Sequence, residues 1–372
     1  MNRVSKSGLC TGCVACAASC VHQAISMTEQ GVYGHFMPTI DTSRCVDCGI
    51  CTKVCPQNVP LKLATPQAAF AAWSKDEEDY HTSTSGGAAS VLSTHVINGG
   101  GVVYGCASIG GDIKHIRVDK LENLSLLKGS KYVQSQLSVD IIRAVKADLR
   151  DYRKVLFVGT PCQVAGLKSY LHRGYDNLYT VDIICHGVSS QKNLFENLRF
   201  CGIERKNVVT MTFRKKGHFH LSVIGENGRE LRSRLLHQDF YFIAFYRSAN
   251  YNEVCYQCQY ARPERISDIT IGDFWGCGPL KLQQKHDQGL SLVLINTVQG
   301  RELFDACKEK FNSEERSIAE AVCGNKQLRQ PSVLHLNHRP FAWIYKYFGF
   351  RMASLCCLLP DKLFYYLLSL RN

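Results

Sequence analysis

Two runs of four cysteines constrain this chain more than anything else in it. Cys10, Cys13, Cys16 and Cys20 are spaced C-x2-C-x2-C-x3-C, and Cys45, Cys48, Cys51 and Cys55 repeat that spacing with Pro56 behind the last. Three thiols two residues apart let a tight loop wrap one corner of an iron–sulfide cube, while the fourth, three residues on, points away toward a second cube. The expected pairing is therefore crossed. Cys10, Cys13, Cys16 and Cys55 would hold one four-iron cluster, and Cys20, Cys45, Cys48 and Cys51 the other. A pair of zinc sites is the alternative, but zinc knots rarely use three cysteines in a row at this spacing.

The double run is the pattern of a bacterial two-cluster 4Fe-4S ferredoxin domain. "AISM" and "PTI" supply two short strands about a turn at 31–34, and a short helix is expected after Cys20. Val21 stands where the first run usually carries proline, which loosens a turn and removes no ligand. The sequence therefore predicts an α+β ferredoxin-like head over 1–62. Most of the 372 residues still follow, so electron transfer alone does not account for the chain.

Its length suits two or three domains, and 45% hydrophobic with 20% charged residues is ordinary for a globular protein. Nineteen cysteines, an odd number clustered as C-x-x-C, argue against a secreted disulfide framework. The chain opens without a charged-then-apolar segment and has no run of 18 apolar residues, so the expected compartment is a reducing cytoplasm. The formal charge of +12 raises the question of nucleic acid, yet the basic residues are scattered and "FRKKGHFH" is the only dense stretch. Anionic clusters and a dinucleotide flavin would absorb much of that charge, and no nucleic-acid partner is expected.

After "PLKLATPQ" strands and helices alternate: "AAFAAW" as a strand, a helix over 85–98 opened by Ser85 and two glycines, a strand in "GGGVVYGCA", and a helix over 139–152. Strands at 155–158 and 178–185, a hairpin near 208–225, and a final strand–helix unit from "SLVLINT" to residue 311 complete an α/β body with a mixed sheet. "STSGGAAS", "KGSKYVQS", "GTPCQ" and "GDFWG" are the stretches suited to approach a phosphate or ring. None is G-x-G-x-x-G, so a Rossmann nicotinamide site is not supported. Cys162 ends one strand and Cys185 the next, at one edge if those strands are parallel. With Cys255 and Cys258 of "CYQC" they would make a third cluster; on spacing alone, all four are equally well small core residues. Cys106, Cys201, Cys277, Cys307, Cys323, Cys356 and Cys357 read as core or surface thiols.

"TSTSGGAASVL", "LKGSKYVQS", "VLFVGTPCQVAGLK", "VDIICHGVSS" and "RISDITIGDFWG", in this order behind a two-cluster head, resemble the coenzyme F420 hydrogenase/dehydrogenase beta-subunit family over about residues 1–312. That resemblance implies an α/β flavin-binding body over 66–312, in parts 66–148 and 149–312. It implies FAD beside a third 4Fe-4S cluster on Cys162, Cys185, Cys255 and Cys258, with Ser85, Gly86, Gly87, Lys131, Gln134, Ser135 and Thr160 around the flavin. An oxidoreductase of this kind would pass electrons between a ferredoxin-type or other one-electron carrier and a hydride acceptor or donor, in either direction. The alternative is a non-catalytic electron-transfer subunit of a larger hydrogenase- or dehydrogenase-type complex. His186 is the proton-donor candidate, or else it orients its turn. Asp273 and Trp275 line the pocket or pack. The substrate is a small molecule, a sugar or a deazaflavin, since bacterial relatives of this layout commonly accompany surface-polysaccharide genes.

Residues 313–372 lie outside the resemblance. "RPFAWIYKYFGFRMASLCCLLPDKLFYYLLSL" is aromatic and basic, broken by Pro360. It reads either as helices resting on the inner membrane face or as a helix docked over the body or against another copy.

Overall fold

The structure is a computed structural model describing residues 4–215, 217–284 and 286–369. The head is built on β1 (Ile25–Gln30) and β2 (His35–Ile40), antiparallel with Ile25 opposite Ile40 and Gln30 opposite His35. Two short helices, Ala15–Ser19 and Ile50–Lys53, accompany them. The strands fall where the two apolar stretches put them, but the first helix precedes Cys20 instead of following it. Ala15, Cys16, Ala17 and Ala18 are small and buried as a helical turn, whereas the chain after Cys20 turns with Gln23 at φ 49°.

The body strands are β3 (Ala68–Ser74), β4 (Val102–Ile109), β5 (Asp112–Val118), β6 (Val155–Gly159), β7 (Leu178–Ile183), β8 (Thr210–Lys215), β9 (His218–Ile224), β10 (Glu230–Leu235), β11 (Ile269–Asp273), β12 (Ser291–Ile295) and β13 (Phe311–Arg316). Eight of them form one sheet in the order β13-β3-β12-β11-β7-β6-β4-β5. β4, β6, β7 and β11 are mutually parallel neighbours. β12 runs against both β11 and β3, so β3 points with the parallel set, while β5 and β13 run against their neighbours. The sheet is mixed, as the alternating pattern predicts. Its central strands read as continuous apolar runs because both faces are covered, and all seven residues of β3 are buried.

Three local expectations shift. The helix expected from Ser85 spans Ala88–Asn98 and is preceded by Gly87 at φ 81°. Ser85 does not cap it, because its hydroxyl donates to Leu290 O at 2.8 Å. Gly86 lies so close to β3 that a Cβ would stand 2.1 Å from Ala72 O. The 208–225 hairpin is β8 with β9, extended by β10 into a three-stranded sheet. The last unit is a helix at Val298–Cys307 followed by β13, which pairs along β3 from Phe311–Ser74 to Arg316–Ala69. The boundary drawn at 312 therefore falls inside a strand of the main sheet.

The tail forms a helix over His338–Ser369, interrupted at Gly349 (φ 76°) and containing Pro360. Phe341, Tyr345, Phe350, Ala353, Cys357 and Leu358 share a core with Leu194, Leu198 and the helix Phe240–Tyr246. Docking over the body is thus what one face of the tail does. No described helix is long and apolar enough to cross a membrane.

Candidate functional site

The head presents its eight cysteines as two sets. Cys10, Cys13, Cys16 and Cys55 line a solvent-open pocket of about 340 Å³. Cys20, Cys45, Cys48 and Cys51 line another of about 460 Å³. Among the described residues, no three His, Cys, Asp or Glu side chains close around a single ion; sets of four soft thiol donors suit the corners of an iron–sulfide cube. Left-handed residues make the sets possible. Gly12 (φ 72°) and Val14 (φ 68°) fold the first run, Asp47 (φ 53°) and Gly49 (φ 73°) the second. Backbone N–H groups already point at sulfur, Gly12 N at Cys10 Sγ and Ala24 N at Cys20 Sγ, each 3.4 Å. Burial, then the neighbouring Cys13 thiol, pushes the Cys10 pKa up to about 12, and burial raises Cys16 well above the ordinary thiol range. As free thiols these groups keep their protons; a cationic metal core would reverse that.

Cys162, Cys185, Cys255 and Cys258 form a third set in the body. Cys162 enters the helix Pro161–Leu171 straight after β6, fixed by a capping arrangement in which Thr160 N donates to Gln163 Oε1 at 3.0 Å. Cys185 follows β7, the parallel neighbour of β6, so both thiols stand at the carboxyl edge of the sheet. Cys255 and Cys258 sit on and just after the turn Glu253–Gln257, where Asn252 accepts from Val254 N and donates to Cys10 O at 2.9 Å. Burial raises the Cys162 pKa well above its ordinary value, the Thr160 hydroxyl at 3.1 Å opposes this, and Cys185, Cys258 and Cys255 raise it further. Burial and Cys258 likewise push Cys185 up to about 12, while Arg265 pulls it down. Arg265 is buried, bonded to Asp182 Oδ1 at 3.0 Å and to Tyr260 O at 2.8 Å.

One glycine brings the head and this third set together. A Cβ on Gly166 would stand 2.6 Å from Cys13 Cβ and 2.9 Å from its sulfur, so the helix carrying Cys162 meets Cys13 one turn later. Buried Tyr260 feels the thiols of Cys162, Cys13 and Cys258 after the larger effect of its own burial. Gly166→Leu is expected to displace Cys13 and lower bound iron by about four per chain, one cluster's worth, with far-ultraviolet circular dichroism unchanged. Iron equal to the parent would show that this contact does not hold the first cysteine loop.

The residues the resemblance sets around a flavin are unequally free. Gly87, preceding the helix Ala88–Asn98, and Thr160 stand at the carboxyl edge, where the co-directional strands end. Lys131 spends its three donors on the carbonyls of Cys106, Leu127 and Lys128, at 2.8–3.1 Å. Gln134 accepts from Phe36 N at 2.9 Å, tying the body to the head. Ser135 Oγ lies 2.7 Å from His115 Nδ1, and His115 Nε2 3.1 Å from Val158 O. A carbonyl only accepts, so Nε2 carries the proton and Nδ1 accepts from the serine. Burial lowers the His115 pKa to about 4. Below pH 6.5 an unfolded chain takes up a proton that the folded one refuses until about pH 4. Stability is therefore present above pH 6.5 and lost as pH falls through that window, by about 3 kcal/mol at most. Urea melts at pH 7 and 5 should show this slope, flattened by about one proton in His115→Gln.

His186 is exposed beside Cys185, its backbone carbonyl accepting from Ser332 Oγ at 2.5 Å. The surrounding protein lowers its pKa and Asp273 opposes this. Asp273 takes a bond from Arg214 Nη1 at 2.7 Å, and Trp275, two residues past β11, is half exposed. Asn252, Tyr260 and Arg265 were not legible as site residues, since nothing local in "YNEVCYQCQYARPER" marks their partners.

Residues 152–321 match the family described as the C terminus of the coenzyme F420 hydrogenase/dehydrogenase beta subunit. Residues 9–59 match the 4Fe-4S dicluster domain. The coenzyme F420-dependent sulfite reductase of Methanocaldococcus jannaschii is 23% identical over 346 residues, covering 85% of this chain and 49% of that protein. The chain thus spans about half the length of that relative. A chain of the F420-reducing NiFe hydrogenase complex from Methanosarcina barkeri, solved as a xenon derivative, gives a TM-score of 0.46 at 19% identity, over 71% of this chain and 91% of that one.

Proposed function

From a chain that joins a 4Fe-4S dicluster domain at 9–59 to a region of the coenzyme F420 hydrogenase/dehydrogenase beta-subunit family at 152–321, we propose an iron–sulfur flavoprotein oxidoreductase. It exchanges electrons between a one-electron carrier and a hydride acceptor or donor. The observation that carries this reading is the convergence of Cys162, Cys185, Cys255 and Cys258 at the carboxyl edge of the sheet, one helical turn from the Cys13 contact at Gly166. Three 4Fe-4S clusters on the three thiol sets would supply one-electron storage, and FAD the conversion between single electrons and hydride.

The protein's own contribution is positional. The helix Pro161–Leu171 orients Cys162 on one turn and receives the head on the next. Asn252 binds the turn of Cys255 to the backbone of Cys10, and Arg265 favours the ionised forms of Cys185 and Cys258. For FAD, the supporting features are the helix start at Gly87–Ala88 and the Thr160 corner, both on the edge where ligands of open α/β sheets bind. His186, exposed beside that edge, is the proposed proton donor. By analogy with the relatives' printed names the acceptor is sought first among deazaflavins, with sugars of surface-polysaccharide assembly as the second class.

The direct test is iron, zinc and flavin content of protein purified without oxygen, with spectra before and after dithionite. About twelve irons and one FAD per chain, bleaching together, are expected. About eight irons without flavin would leave an electron-transfer subunit whose partner does the chemistry; zinc in place of iron would overturn the reading.

A further inference from the structure

The tail helix is apolar on two opposite sides, and only one of them is used. Phe350, Ala353, Cys357 and Leu358 face the body core. Met352, Leu355, Leu359, Leu363 and Leu367 recur at intervals of three or four on another side, and they remain 43%, 36%, 42%, 55% and 60% exposed. Before the break at Gly349, Trp343, Tyr347 and Phe348 are each about 60% exposed as well. Apolar residues at helical spacing and turned to water need a cover.

Charge identifies the cover. His338–Ser369 carries Arg339, Lys346, Arg351 and Lys362 and a single acidic residue, Asp361. Asp361 is buried, and it is turned inward to Arg247 and His335. Arg351 and Lys362 lie over the body rings Phe200 and Phe240; the cations beside the exposed Trp343 and Tyr347 are Arg339 and Lys346, and the helix sets no carboxylate against them. A second copy of the same helix would set like charges against one another. An anionic surface would not, and Trp and Tyr beside Lys and Arg over a leucine stripe is the composition of a helix lying in a bilayer interface. We propose that the face Trp343–Leu367 docks the protein on a membrane surface rich in anionic phospholipid, the body above it and the exposed stripe sunk at the headgroup boundary. This does not rest on the redox reading.

The test is flotation of the full chain, purified without oxygen, with vesicles of phosphatidylcholine alone and with phosphatidylglycerol added. Binding to the anionic vesicles is expected, weakened by salt. Leu359→Glu with Leu363→Glu should lower the bound fraction about tenfold, with circular dichroism and iron content unchanged. Arg339→Gln with Lys346→Gln, which leaves the stripe intact, should weaken binding to the anionic vesicles alone. Absence of the parent protein from the floated fraction overturns the proposal. So does a dimer in sedimentation that the leucine variant splits while vesicle binding is nil, since a second copy would then be the cover.

Discussion

Replacing Cys162 with alanine is expected to lower iron from about twelve to about eight per anaerobically purified chain, with visible absorption falling by about one third. The reason is the separateness of the three thiol sets. Cys162 has Cys185, Cys255 and Cys258 as its thiol neighbours, whereas the two head pockets are lined wholly by other cysteines. Three remaining thiols leave one corner of a cube unheld, and the head keeps all eight of its own. Cys106→Ala supplies the control. That thiol is also half-buried in the body, but its neighbours are Lys131 and Ser135, not a ring of cysteines. Its loss should leave iron unchanged. If Cys162→Ala retained the parent's iron, the body would hold no cluster on these residues.

What the sequence disclosed and what it hid follow from how local each signal was. In the head, three cysteines of each set lie within one short loop, where spacing is legible, while the fourth comes from the other run and reaches its pocket because β1 and β2 hold the two loops together. The mixed sheet was legible because strands covered on both faces must be apolar nearly throughout, as "AAFAAW" is and "SLVLI" is after its first residue. β13 was not, because "FNSEER" has one apolar residue and owes its strand form to the waiting edge of β3. The start of the helix Ala88–Asn98 was misread for a related reason: Leu290, 205 residues away, takes the Ser85 hydroxyl that would otherwise cap it. Cys162 and Cys185 could be set on one edge by a strand-end argument. The arrival of Cys255 and Cys258 beside them depends on Asn252 reaching Cys10 and on Arg265 reaching Asp182, contacts for which no pattern exists in the chain.

Arg265 carries the second large effect, this one on stability. Its side chain is 2% exposed and that of Asp182 is fully buried. Arg265 satisfies Asp182 Oδ1, Tyr260 O and Thr270 Oγ1, while among the described residues Asp182 Oδ2 has no hydrogen-bond partner. A buried ion pair contributes little net energy, since desolvation offsets the attraction, but removing one partner strands the other charge and costs about 3–5 kcal/mol. Arg265→Met should therefore unfold at markedly lower urea, and its iron content should fall, because the same guanidinium holds the Tyr260 carbonyl two residues past Cys258. Adding Asp182→Asn removes the stranded charge and should restore much of the urea midpoint. It leaves Tyr260 unheld, so iron should recover less than stability does. That divergence separates the two roles. A double variant that regained neither would mean that Arg265 matters through packing, and one that regained both in step would mean that the cysteine turn needs only a folded strand beneath it.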